Sequence, residues 1–485
     1  MTTGRETASQ RLHRLTSYEP GRDWDAAPDD PEVLQDLQVN DMDRLPWFVK
    51  RYPGGLPRIR LPGGLPRTSA PAVAVLAGTA GVSRAGLDLD QLSRLLYLSA
   101  GVVRTMERPY GLHPFRAAGS AGGRFPLELY VAVPPGGPLP AGVHWYDPWD
   151  HALIRVGPPP GAGGPAVVVT GVPWRTGWRY RERGFRHVYW DAGTMLAQLL
   201  ALADSAGLTA ALYTRFPDVR VAAMVGADRV HEFPVAVVGL DQSAPAVEPD
   251  GPAAAGDVDA APVEFPLVTA AQRAGEGDQR GQPWERGGPV SVPVLASAPV
   301  EDVIAARGSQ RRMDPGRGLS LDLLRTAMGV AVRGLDLPHW VAVHDVAGLP
   351  PGVYRWPVLD APVRAGALRD ELYRVCLDQA LARDAAFVAI AAACRCTSLP
   401  GRTARSAGHG AHGAPSGLRR DRGEPRRPGR ARGYAVGGLM PTIRRASRIV
   451  AGCRPSRSTR SVRARIKSRF DGSPVPAQSS RPTRT

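Results

Sequence analysis

The stretch LDLDQL that begins at Leu87 returns as LSLDLL at Leu319, an offset of 232. VAVPPGGPLPAGV at Val131 returns as VAVHDVAGLPPGV at Val341, an offset of 210. In both places the strand, the loop length and the Gly-Val that resumes the chain agree. Two ordered matches at different offsets describe one helix-then-strand unit written twice, with 22 residues missing from the second copy between helix and strand. The chain must therefore build its core around two related units.

The second copy breaks off. DAAFVAIAAA ends at Ala393, where the first copy has GPAVVVTGV and then a long apolar helix, HVYWDAGTMLAQLLALADSAGL. Beyond Ala393 the chain reads CRCTSLPGRTARSAGHG and continues in kind, too poor in apolar periodicity to bury a core. Charge changes at the same point. The net charge of +16 is carried by residues 394–485, which hold 22 Lys and Arg against 3 Asp and Glu, while the rest is mildly acidic. Residues 394–485 read as a basic, disordered tail. Its start inside a supersecondary unit suggests a replaced or out-of-frame terminus, the alternative being a natural basic tail. With one tyrosine and one phenylalanine for base stacking, the tail gives no case for specific nucleic-acid binding.

Other classes fall away on composition. No run of about 18 apolar residues is present, so no membrane span is predicted. The first twenty residues have no apolar core of a secretory signal. The four cysteines, Cys376, Cys394, Cys396 and Cys453, are late and irregular, which is no disulfide framework and fits a reduced cytoplasmic setting. Cys394, Cys396, His409 and His412 lack zinc-site spacing, and no metal is predicted.

The organisation reads as five segments. Residues 1–70 are an extended, Pro-rich wrapping segment. Residues 71–240 are a compact unit with Leu92, Leu95, Leu96 and Val103 on one helical face, strands at LELYVAV, AVVVTGV and EFPVAVVGL, and the long helix ended by Gly207. Residues 241–300 are an Ala/Pro/Gly-rich linker. Residues 301–393 are the truncated copy, and 394–485 the tail. One stretch stands out: Gly119, Ser120, Ala121, Gly122 and Gly123 sit directly before a strand. Such a run is often a tight turn, but it also lets a backbone lie against something flat.

LSRLLYLSAGVVR followed by RAAGSAGGRFPLELYVAV, then WRYRERGFRHVYWDAG, then GLTAALYTRFPDVRVAAMVGADRVHEFPVAVVGL resemble the successive motifs of the nitroreductase-like FMN family. The nearest branch is the SagB-type azoline dehydrogenases, which oxidise heterocycles in ribosomal peptide natural products. In the second copy, ARGSQRRMDPGRGLSLDLL resembles the family's Arg-x-Ser-x-Arg start. The resemblance implies an α+β nitroreductase-like fold in tandem, a pseudo-dimer within one chain whose second copy is incomplete.

It also implies FMN held between copies. Arg307, Ser309 and Arg311 would take the phosphate and ribityl chain, and residues 119–123 would lie against the flavin. Arg179-Tyr180 stand where the azoline dehydrogenases carry Lys-Tyr. Tyr180 could relay a proton, but Arg179, a guanidinium that stays protonated, could not act as a base. The implied function is FMN-dependent oxidation of a peptide or small-molecule substrate, with biosynthetic partners; the alternative is a non-catalytic peptide-binding or scaffold member. A further expectation concerns the long helix. With no complete second copy, Met195, Leu196, Leu199, Leu200 and Leu202 should be partly exposed, favouring self-association and weak FMN binding.

Overall fold

The computed structural model describes residues 6–17, 40–310, 312–376 and 378–391. Arg311 and the basic segment from 394 onward lie outside the described residues. Helix α1 (Ala8–Leu15), strand β1 (Arg58–Arg60) and helices α2 (Ala72–Ala77) and α3 (Leu89–Ala100) precede a hairpin of β2 (Val102–Arg108) and β3 (Gly111–Arg116). Strands β4 (Leu127–Val133), β5 (Gly142–Asp147), β6 (Ala152–Gly157) and β7 (Ala166–Gly171) come after it. Next are α4 (Pro173–Tyr180), α5 (Gly184–Ser205), β8 (Ala211–Tyr213), α6 (Asp218–Val225) and β9 (Phe233–Gly239). The remainder is α7 (Pro266–Arg273), α8 (Val300–Ala306), α9 (Leu321–Ala331), β10 (His339–Val343), β11 (Gly352–Trp356), β12 (Arg364–Ala365), α10 (Arg369–Val375), α11 (Ala380–Asp384) and β13 (Phe387–Ala391).

Two antiparallel sheets organise these elements. The larger has the order β1-β6-β5-β4-β7-β9-β8, and the smaller β12-β11-β10-β13. Strand β4 is buried along its whole length because its alternate side chains enter two cores. Leu129, Val131 and Val133 pack in the core that contains α5, while Tyr130 and Ala132 pack with Trp145, Val168 and Val237 beside α6.

The stretches that match in sequence also match locally. Asp88 caps α3 by accepting from the Gln91 amide (2.7 Å), and Ser320, 232 positions later, caps α9 by accepting from the Leu323 amide (3.2 Å). Val131 faces His144 across the β4–β5 ladder, and Val341 faces Tyr354 across β10–β11. Both members of each pair are shifted by the same 210 positions.

Three expectations are corrected. Val103 is not on the helical face: α3 stops at Ala100, Gly101 turns to an extended conformation, and Val103 lies on β2, 42% exposed. Residues 241–300 are not a loose linker. Val258, Phe265, Val268 and Ala271 belong to the main core, and α7 packs on α1. The long helix is not left open either. Met195, Leu196, Leu199, Leu200 and Leu202 on α5 are all buried, because α2, α3, α4 and α8 cover it. At about 1.5–3 kcal/mol each, burying these five side chains is a major part of the core's stabilisation.

Lys50, ahead of β1, ties its stretch of chain to the body through a buried ammonium. Lys50 Nζ donates to Glu232 (2.6 Å) and to the Tyr130 hydroxyl (2.9 Å), and that hydroxyl donates to Glu232 (2.8 Å). Among the described residues no helix is long and apolar enough to cross a membrane.

Candidate functional site

The small-residue loop joins β3 to β4, and its smallness is demanded mostly by the chain's own side chains. Gly122 has φ 61°, and a Cβ there would stand 2.7 Å from the Tyr180 hydroxyl and 2.9 Å from Arg179 Cδ. Gly123 has φ 65°, and its Cβ would meet His113 Nε2 at 3.2 Å. Gly122 therefore requires glycine twice over, for the left-handed backbone and for space, while at Gly123 the left-handed backbone is the main demand. Gly119 is different: a Cβ there would meet only the Arg307 guanidinium, at an ordinary 3.6 Å.

Arg307 thus reaches the loop. It ends α8, and its Nη2 donates to the Ala117 carbonyl. Helix α8 is held against the first unit by a buried ion pair, Arg94 Nη2 to Glu301 (2.6 Å), while Val300 and Ile304 enter the main core. Arg94 also donates to the Leu202 carbonyl (2.8 Å) and to Ser205 (2.7 Å) on α5. Of the other two clamp candidates, Ser309 is exposed and Arg311 is outside the described residues.

Ser120 and Ala121 are tied to α5 by Asp191. The Ser120 hydroxyl donates to Asp191 Oδ2 (2.5 Å), and the Ala121 amide to Oδ1 (3.0 Å). Ser120 Oγ in turn accepts the Phe125 amide (2.8 Å). Phe125 has φ 49°, a strained conformation for an aromatic residue, and its carbonyl accepts from Arg175 Nη1 (3.2 Å). Burial pushes the Asp191 carboxyl up to about 7, against the hydrogen bonds from Ser120 and Ala121. A cavity of about 20 Å³, the size of a single water, lies between the loop and α5, lined by Arg116, Gly119, Ser120, Phe125, Asp191 and Met195.

Tyr180, at the end of α4, packs its ring 4.0 Å from that of His187. Burial raises the Tyr180 hydroxyl and Arg179 opposes it, so the phenol holds its proton at neutral pH. His187 is kept neutral by burial together with Arg183 and Arg186. On the other side of the loop, the Arg124 guanidinium lies between Phe48 (4.5 Å) and Trp178 (4.7 Å). Burial, aided by Arg179 and Arg175, brings Arg124 down to about 9. Burial likewise lowers His113 to about 4, with help from Arg124 and Arg108.

The structure therefore brings together Gly119, Ser120, Ala121, Gly122, Gly123, Arg179, Tyr180 and Arg307. Sequence reasoning missed Asp191, His113 and Arg124. Asp191 had a readable signal: it is an acid on the apolar stripe of α5, between Val188 and Met195, where a carboxylate must find partners. Arg124 and His113 depend on contacts with Phe48 and Trp178, far away in sequence.

No protein-family model matches the chain. A protein of Methanocaldococcus jannaschii that carries the name nitroreductase is 29% identical over 164 residues, 31% of this chain and 78% of that protein. A crystal structure of a protein from Anabaena variabilis, also named a nitroreductase, superposes with a TM-score of 0.60 at 22% identity, covering 83% of this chain and 89% of that one. A third, from Ralstonia eutropha, covers 40% of this chain and 92% of its own, with a TM-score of 0.32 at 22% identity. The chain is similar in sequence to a nitroreductase, and its fold is the nitroreductase-like α+β fold.

Proposed function

We propose that the chain is an FMN-dependent oxidoreductase of the SagB type, a pseudo-dimer of two nitroreductase-like copies with the second incomplete, acting on a peptide or small-molecule substrate. The observation that carries this reading is the meeting of Arg307, from the segment that opens the second copy, with the small-residue loop of the first at Ala117 and Gly119. The donor set suits FMN. Arg307 offers a planar fork for phosphate oxygens, Ser309 an exposed hydroxyl, and Gly119 a backbone that a flat ring can approach. Bound there, the cofactor would supply hydride-transfer chemistry. The protein's part is to hold, orient and move protons. Tyr180 keeps a proton that it can donate at the loop, and its hydroxyl is seated over Gly122. Arg179 orients and neutralises anionic groups but removes no proton.

The purified protein should show flavin absorbance near about 450 nm, a general property of flavins. Arg307→Ala should weaken FMN retention about 10-fold or more, the loss of one charge-assisted contact. Full retention in that variant would defeat the composite site. A scaffold role without catalysis is favoured by one observation: Tyr180, Arg179 and His113 already occupy the space above Gly122 and Gly123. Colourless protein that takes up no added FMN would support that second reading.

A further inference from the structure

We propose that Asp191 is a positioning residue for the site: its carboxyl group fixes the loop 119–125 in the one shape that presents the Gly119–Ala121 backbone outward. Naming FMN as what that backbone meets rests on the function proposed for the site; the bracing of the loop by Asp191 does not.

A loop with glycine at 119, 122 and 123 has more conformational freedom than most sequences of its length, so something outside it must hold it. Asp191 does so from α5, a helix packed on several sides. Its two oxygens take different donors, the Ser120 hydroxyl at 2.5 Å and the Ala121 amide at 3.0 Å. Ser120 Oγ passes the restraint on by accepting the Phe125 amide at 2.8 Å. Three hydrogen bonds thus close the segment from 120 to 125 over the two left-handed glycines and hold Phe125 at φ 49°. Without them the strain at Phe125 has an outlet, and the loop can unwind.

The other groups around Asp191 do not replace it. Arg116 lines the same cavity, but its guanidinium donates to the Leu127 and Phe48 carbonyls, and its Nε has no partner among the described residues. Ser99, from α3, lines that cavity too, but its hydroxyl donates to the Leu95 carbonyl. Tyr180 keeps its proton and so lends Asp191 no charge, and His187, one turn earlier on α5, is neutral. Asn at 191 could accept the Ala121 amide and donate to Ser120 Oγ, preserving the shape without the charge. Ala can do neither.

The test uses the full chain with FMN as the probe and has two arms. In FMN-free protein, hydrogen exchange at the Ala121 and Phe125 amides should speed up about 10-fold or more in Asp191→Ala and stay within about 3-fold of the parent in Asp191→Asn. In the second arm, the FMN dissociation constant should rise about 10-fold in Asp191→Ala and stay within about 3-fold of the parent in Asp191→Asn. A folded Asp191→Ala with unchanged exchange and unchanged affinity overturns the proposal. So does Asp191→Asn behaving as Asp191→Ala in the exchange arm. If the parent binds no FMN, the cofactor reading fails and the exchange arm alone decides the role of Asp191. If Asp191→Ala does not fold, Ser120→Ala takes its place, and unchanged exchange at Phe125 is the overturning result.

Discussion

Asp191 shows what a single side chain reveals about pH. Burial raises its carboxyl from an unfolded value of 3.8 to about 7, so the folded protein prefers the neutral form. The stability attached to that preference is fully present below pH 3.8 and is lost as pH rises through about 7. Asp191→Asn cannot ionise. We therefore expect the parent to lose stability relative to this variant between about pH 4 and pH 8, by at most about 4 kcal/mol. Chemical denaturation of both proteins at several pH values measures this, and a constant difference would show that folding does not shift the Asp191 carboxyl. The residue was half-legible in the sequence. Its place on an apolar stripe could be read, but its partners at 120 and 121 could not, because nothing local links a helix to a loop some seventy positions earlier.

Among the elements, the loop and the long helix were read with opposite success. The run of small residues before β4 correctly marked a close approach. What approaches was not legible, since Tyr180 and His113 arrive from α4 and β3 and only the folded chain joins them to Gly122 and Gly123. Gly122→Ala must place a methyl group 2.7 Å from the Tyr180 hydroxyl at φ 61°. We expect it to destabilise by about 1–3 kcal/mol. Removing that hydroxyl by Tyr180→Phe should recover part of the loss, and a double-mutant cycle would reveal the coupling; strict additivity would mean that the two do not touch. For α5 the helix was legible from its apolar period, though it starts at Gly184, three residues before the expected His187, and its covering was not legible. The sequence suggested a face left bare by the missing copy. The chain instead closes it with α2, α3 and α8, elements whose separation from α5 no periodicity could bridge.

At the scale of the whole molecule, the two units are joined by few contacts of high consequence. Arg94 and Glu301 are both buried, and Val73 and Ala77 of α2 pack with Val292 and with Val330 of α9. Arg333 adds a bond from the smaller unit to the Leu76 carbonyl (2.6 Å). Glu301→Ala would leave the Arg94 guanidinium buried without its counter-charge, which should cost about 3–5 kcal/mol. The measurable result is a large fall in the denaturation midpoint together with weaker FMN retention, because α8 also carries Arg307. A variant that loses neither would show that α8 is seated by its apolar side chains alone.

The seating of α8 also sets how evenly mutations would be felt along the chain. Every described residue placed at the candidate site, from Phe48 to Ser309, precedes α9, so the four-stranded sheet adds no group to it. In a deep mutational scan sorted on flavin binding, Gly122 should be intolerant even of alanine, and Asp191 should accept Asn but not Ala. The interior of β10, β11 and β13 should accept any substitution that still packs.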